Sequence, residues 1–267
     1  MTIQTEQLAQ TLHRVRQTHP VVHALTNWVT AGDVANALHA IGARPIMASA
    51  LEEVEEIVSR ADVFVINVGT PDPLRIKAML SAGYCANRLG RPVILDPVGV
   101  GASRFRMDSV QTILSALRIA VIRGNRAEIG ALAGTGGQLR GIDSVQEPPD
   151  IHAAAKTLSQ KTGAVIAVSG AQDLVVKGEM IVSVENGHPM MGQVTGMGCM
   201  LTAVIAAFAV VEPDPMVAAV AAMAFFGLAG ELAVQQAKGP GSFRINLLDA
   251  LYAMTPEELK AGAKLKD

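Results

Sequence analysis

Short apolar runs alternate with stretches of helical spacing along most of the chain, and this alternation restricts the fold more than any other feature. The runs cover residues 21–25, 45–48, 63–68, 92–96, 119–123 and 164–169. The third, Val63-Phe64-Val65-Ile66-Asn67-Val68, is apolar almost without interruption, as a strand buried on both faces should be. Residues 5–17 put Leu8, Leu12 and Val15 on one side of a helix, ended by Pro20. Helical spacing returns at 32–41, where Gly42 supplies a stop signal, and again at 52–60, 71–89, 107–117, 127–133 and 151–162. Residues 134–149, rich in Gly, Pro and charge, read as a surface loop. The β-prone segments 173–176 and 180–184 flank Lys177-Gly178 and predict a hairpin. From Gly196 to about Lys260 the chain reads as helical in several segments. Strands alternating with helices predict an α/β fold: a mostly parallel central sheet with helices on both faces, three layers in one domain spanning 1–267. Ligands of such sheets sit beyond the carboxyl ends of the strands, so the strand-end residues carry the functional question.

Composition narrows the classes. Half of the residues are hydrophobic but only 3% are aromatic, so the core has to be built from Ala, Val, Leu, Ile and Met. The formal net charge is −2, and Lys and Arg form no cluster of the kind a nucleic-acid backbone demands. Cys85 and Cys199 lie far apart without metal-ligand spacing, which fits a reducing cytoplasm better than a disulfide-stapled chain. The first twenty residues contain no apolar stretch, so no signal peptide is expected. The apolar segments 200–211 and 216–230 are shorter than the roughly 20 residues a membrane span needs, which predicts buried core helices and no membrane.

Gly196-Met197-Gly198-Cys199, directly before an apolar helix, is the most informative stretch. Glycines permit a tight turn and close approach, and the amides of a first helical turn make an anion site. An ordinary glycine-rich helix start reads the same way. Cys199 would sit where a helix N-terminus lowers a thiol pKa, or it is simply a small buried residue. Asp96 ends a strand before Pro97 and could hold hydrated Mg²⁺ or form a turn. Asn125 and Glu128 share a helix face, and they also match a capping box. Arg123 could meet phosphate. Asn27 and Met47 each close an early strand and could line a small-molecule pocket. Gly99-Val100-Gly101 lacks the third glycine of a dinucleotide fingerprint, and no P-loop is present. His23, His39 and His152 have no metal spacing.

Together these stretches resemble the hydroxyethylthiazole kinases. The matching pieces are Thr26-Asn27-Trp28-Val29-Thr30, Asp33-Val34-Ala35-Asn36, Pro45-Ile46-Met47, Asn67-Val68-Gly69-Thr70 and Asp96-Pro97-Val98-Gly99-Val100-Gly101-Ala102. They continue with Arg123-Gly124-Asn125-Arg126-Ala127-Glu128-Ile129, Val168-Ser169-Gly170, Gly196-Met197-Gly198-Cys199 and Gly239-Pro240-Gly241-Ser242-Phe243. Each is weak alone, but their order over nearly the whole chain is specific. The resemblance implies a ribokinase-like fold, ATP as donor, Mg²⁺, and phosphorylation of the primary alcohol of 4-methyl-5-(2-hydroxyethyl)thiazole for thiamine synthesis. It also implies a homotrimer with active sites at subunit interfaces. By position, Met47, Gly196 and Asn27 would contact the thiazole, and Arg123 and Ser169 would contact ATP. Asp96 and Glu128 would hold Mg²⁺. The amides of Gly196, Met197, Gly198 and Cys199 would form the anion hole, with Cys199 as the catalytic side chain. Relatives in the wider superfamily carry Asp at the Cys199 position, and family members commonly have Thr where Met197 stands. The rival readings are a kinase for a pyrimidine or pyridoxal-like alcohol, an ATP-dependent repair dehydratase, and a non-catalytic nucleotide-binding sensor.

Overall fold

Side-chain alternation with a period of two divides the strands' residues between two cores. A computed structural model of the chain describes residues 3–135, 138–140, 143–146 and 148–266. Its elements are α1 (Thr5–Thr18), β1 (Val21–Leu25), α2 (Ala31–Ala40), β2 (Arg44–Ile46), α3 (Val54–Arg60), β3 (Val63–Asn67), α4 (Pro73–Arg88), β4 (Val93–Asp96), α5 (Arg104–Ala116), β5 (Val121–Asn125) and α6 (Arg126–Ala133). There follow β6 (Gln138–Arg140), β7 (Asp143–Gln146), α7 (Ile151–Thr162), β8 (Val165–Ser169), β9 (Asp173–Lys177), β10 (Met180–Val184), α8 (Met197–Val211), α9 (Pro215–Val234), α10 (Pro240–Ala253), α11 (Pro256–Gly262) and β11 (Leu265–Lys266).

Nine strands form one sheet in the order β11-β10-β9-β8-β5-β4-β3-β1-β2. The run from β2 to β8 is parallel, and β9, β10 and β11 close the far edge antiparallel. On one face Val63, Val65, Ile94, Val121 and Val165 pack with α1, α2, α8, α9, α10 and α11. On the other, Phe64, Ile66, Leu95, Ile122 and Ile166 pack with α3 to α7. Successive strand residues point to opposite faces, so neighbours in sequence serve different cores. This is the three-layer architecture that the alternation predicts.

Several boundaries differ from the sequence reading. The second strand is Arg44–Ile46 rather than 45–48, so Met47 lies just past its end. As an edge strand it pairs only with β1, which also tolerates Pro45. The helix expected at 107–117 begins at Arg104, because the Ser103 side chain caps it by accepting from the Arg106 amide at 3.3 Å. The strand expected at 119–123 runs from Val121 to Asn125. Within the loop expected at 134–149, β6 and β7 pair antiparallel apart from the main sheet, while residues 136–137, 141–142 and 147 lie outside the described part. The short β11 had no signal in the sequence.

The length argument against a membrane span also needs correction. Among the described residues α9 is a 20-residue helix long and apolar enough to cross a bilayer. Most of its apolar surface is buried inside the protein, Phe225 and Phe226 included, which makes it a core helix.

Candidate active site

Strand ends and the start of α8 meet at one edge of the sheet. Asn67 and Asp96 are the last residues of β3 and β4 and stand in register. Asn125 and Ser169 do the same at the ends of β5 and β8. Gly196, at φ 92°, turns the chain into α8 in a left-handed conformation. A Cβ there would also lie 2.8 Å from the Thr30 Cγ2, so both backbone and space require glycine. The following amides open a helix whose first turn has no intrahelical acceptor for them.

Asp96 is fully buried. Its Oδ2 accepts from Asn67 Nδ2 and from Thr202 Oγ1, each at 2.9 Å. Its Oδ1 has no hydrogen-bond partner and faces the Arg123 guanidinium at 3.9 Å. Arg123 in turn donates to Ser169 Oγ. The same guanidinium lies over Gly198, where an added Cβ would come within 2.1 Å of Nη1. Arg123 therefore links the acid, the glycine turn and Ser169.

Glu128 has a double part. Its Oε2 accepts from the Asn125 amide at 2.8 Å, and Asn125 Oδ1 accepts from the Glu128 amide at 2.9 Å, which completes a capping box. Its Oε1 accepts from the Gly99 amide at 2.8 Å and ties the loop after β4 to α6. Burial, then the nearby charge of Asp96, pushes the Glu128 carboxyl up to about 7. Burial also raises Asp96. Two desolvated acids near each other are costly unless a cation or a proton joins them.

Cys199 Sγ receives amide hydrogens from Asn27 Nδ2 at 3.3 Å and Asn67 Nδ2 at 3.2 Å. Of the two readings of Cys199, the lowered thiol pKa is not seen and the buried residue is. Burial, then the Asp96 charge, pushes the thiol up to about 11, outweighing the hydrogen bonds from Thr30 and Asn67 and the charge of Arg123. Met47 sits half-buried past β2, beside Ala48, whose carbonyl is bound at 2.9 Å by His23 Nε2.

Asn27, Asp96, Arg123, Ser169, Gly198 and Cys199 thus form one connected group, with Gly196 and Glu128 at its border and Met47 at the open sheet edge. Asn67 and Thr202 were missed in the sequence reading. A polar residue closing an apolar strand was the available signal for Asn67. A cleft of about 310 Å³ near the opposite, amino-terminal ends of β4 and β5, lined by Asn87, Arg91, Arg118, Ile119, Glu212 and Pro215, contains none of these residues.

Among the described residues no three His, Cys, Asp or Glu side chains cluster as a cage for a metal. The pair of acids suits a cation that keeps water and phosphate in its shell, and the unpartnered Asp96 Oδ1 is a ready oxygen ligand. An anion-accepting helix start beside two acids and an arginine is suited to moving a phosphoryl group.

The sequence pattern of the hydroxyethylthiazole kinase family matches residues 12–257. The chain belongs to this family. The hydroxyethylthiazole kinase of Thermoanaerobacter pseudethanolicus is 50% identical over 254 residues, covering 94% of this chain and 96% of its own length. The solved hydroxyethylthiazole kinase of Pyrococcus horikoshii superposes with a TM-score of 0.87 at 38% identity, covering 97% of this chain and 98% of that one. A ribokinase-like protein of Enterococcus faecalis, at 16% identity and a TM-score of 0.65, shares the fold over 91% of this chain and 93% of its own. Membership in the hydroxyethylthiazole kinase family agrees with the motifs quoted from the sequence, and the fold is ribokinase-like.

Proposed function

We propose that the chain transfers the γ-phosphoryl group of ATP to the primary hydroxyl of 4-methyl-5-(2-hydroxyethyl)thiazole, giving the monophosphate used in thiamine synthesis. The observation that carries this reading is the meeting of Asp96, Arg123 and the first turn of α8 at one edge of the sheet. The alcohol oxygen bonds to the γ-phosphorus as the bond to the bridging oxygen of ADP breaks. The transition state is loose and its charge spreads over the phosphoryl oxygens, so positioning and neutralisation do most of the work. The amides of Gly196 to Cys199 receive that charge, and Arg123 with Ser169 holds the nucleotide phosphates. Asp96 and Glu128 would hold Mg²⁺, which when bound neutralises the phosphates. Asn27, Met47 and Gly196 line the thiazole side.

Cys199 would take the hydroxyl proton, but only through its small thiolate fraction, given a thiol at about 11. In a loose transition state the proton leaves late, so this group contributes modestly.

Trp28 and Val29, directly after Asn27, are 64% and 69% exposed. Large apolar side chains left open beside a site favour burial against another subunit, and the family resemblance makes that assembly a homotrimer whose subunits complete one another's active sites. The two free cysteines fit a reducing cytoplasm.

The test is ATP consumption with Mg²⁺ and the thiazole alcohol, run on wild type and Asp96→Ala, with pyridoxal and a hydroxymethylpyrimidine as competing acceptors. Turnover of the thiazole alcohol that is lost in Asp96→Ala supports the proposal. Preference for another alcohol refutes the substrate, and ATP binding with no acceptor turned over refutes the enzyme.

A further inference from the structure

The last residue of β3 has no part in the mechanism above, yet it touches most of the site. Asn67 is buried, and its amide can point only one way. Oδ1 receives the Gly69 backbone N–H at 2.9 Å, and that group can only donate, so Nδ2 faces the opposite side. There it donates to Asp96 Oδ2 at 2.9 Å and to Cys199 Sγ at 3.2 Å. Asn27 is fixed by the same logic. Its Oδ1 receives the Thr30 N–H at 3.1 Å, which turns its Nδ2 toward Asn67 Oδ1 at 3.1 Å and Cys199 Sγ at 3.3 Å.

Two amide donors therefore converge on one sulfur, a weak acceptor that repays them poorly. The packing leaves the pair no slack: a Cβ at Gly69 would lie 2.9 Å from the Asn27 Cβ and 3.0 Å from Asn67 Oδ1.

We infer that Asn67 is a positioning residue for phosphoryl transfer, holding the Cys199 sulfur and the Asp96 carboxylate in one rigid frame at the start of α8, with Asn27 as the second clamp. This rests on the kinase reading. Displacing reacting groups by an ångström costs on the order of 100-fold in rate. Asn67 acts chiefly through Cys199 and Asp96, with a further bond from Asn27, so its removal should slow turnover far more than it weakens the binding of ATP and alcohol.

The test is a double-mutant cycle in steady-state phosphorylation, with wild type, Asn67→Leu, Cys199→Ala and the double variant. Asn67→Leu keeps the size of the side chain and removes its hydrogen bonds. The expected result is a fall in kcat of about 30-fold, with both KM values within about threefold of wild type. In the Cys199→Ala background the same substitution should cost clearly less than in wild type, about 10-fold, because one of the two groups it positions is gone while Asp96 remains. Full multiplicative loss in the double variant, or a higher KM at unchanged kcat, overturns the inference. Should Asn67→Leu melt well below wild type, Asn67→Ser takes its place in the cycle under the same criteria. A wild-type chain that phosphorylates no alcohol sinks the kinase reading and this inference with it. An active wild type with multiplicative losses sinks the inference alone.

Discussion

His23 shows how one buried polar side chain can fix the chain after β2, which the proposal above puts on the thiazole side. It lies in β1 against Phe64, at a ring separation of 5.0 Å, and burial lowers its pKa, so the ring is neutral. Nδ1 is buried without a partner, which assigns the hydrogen to Nε2, the atom that binds the Ala48 carbonyl. Gln carries a donor where His carries Nε2, whereas Leu has none. His23→Leu should raise the KM for the thiazole alcohol about fivefold, the worth of one hydrogen bond, with kcat within about twofold. His23→Gln should restore it in the same kinetic assay. Asp173 gives a pH-dependent prediction. Burial, set against the Gly170 amide and the charges of Arg123 and Arg126, leaves its carboxyl raised to about 6 from 3.8. The folded chain then keeps a proton that the unfolded chain releases, so stability falls as pH rises from about 4 to about 6 and stays lower above. Asp173→Asn should raise Tm at pH 8, and the gain should vanish near pH 4 in thermal melts. Asp96, Arg123 and Cys199 were legible in the sequence because strand ends and a glycine turn mark them. Asn67 carried the same strand-end signal and was passed over as a site residue, whereas Thr202, a short polar residue inside an apolar helix, gains meaning only from Asp96 far away along the chain.

Gly198 separates folding from binding within α8. Glycine inside a helix costs stability relative to alanine, by roughly 0.5–1 kcal/mol. Here the obstacle to a methyl group is the far end of the Arg123 side chain, with Nη1 at 2.1 Å, and not a rigid backbone. Gly198→Ala should therefore fold as well as wild type while pushing the guanidinium away from Ser169 and Asp96. The expected outcome is a Tm at or a little below that of wild type, since buried Asp96 loses its facing charge, together with a KM for ATP raised about tenfold, on the scale of one charge-assisted contact. A normal KM would show that Arg123 does not serve the nucleotide. Arg106 of α5 does comparable work for two loops, donating at 2.8 Å to the carbonyls of Val68, Val98 and Gly69. It joins the turn after β3 to the turn after β4, a link between elements that no local pattern announces. The elements themselves were readable where apolar periodicity is strong, as in β3, β8 and α1. Boundaries slipped where a cap or an edge pairing decided them, as at Ser103 and at β2.

At the scale of the molecule, alternation of strand and helix announced a parallel sheet, but the strand order depends on which neighbours each strand finds, and no pattern along the chain encodes that. The length of α9 shows the same limit from another side: its apolar segment reads as too short to span a membrane, the helix is long enough, and its burial inside the protein is what marks it as a core helix. Trp28 and Val29 stand exposed at this scale, next to Asn27. The Arg75 guanidinium stacks on the Trp28 ring at 4.2 Å from its centre and also donates to the Thr26 carbonyl, so the exposed ring is held rigidly and Thr26 just before Asn27 is tied with it. A rigid apolar surface costs little entropy to bury against another subunit. If three chains complete one another's sites there, a charge at this point must damage assembly and substrate binding together. Val29→Asp should shift the species seen by sedimentation from trimer to monomer at micromolar concentration, leave the far-UV circular dichroism unchanged, and raise the KM for the thiazole alcohol by about tenfold or more, since an uncompensated buried charge costs several kcal/mol. A wild-type chain that sediments as an active monomer would remove the trimer from the proposal and leave the chemistry at Asp96 untouched.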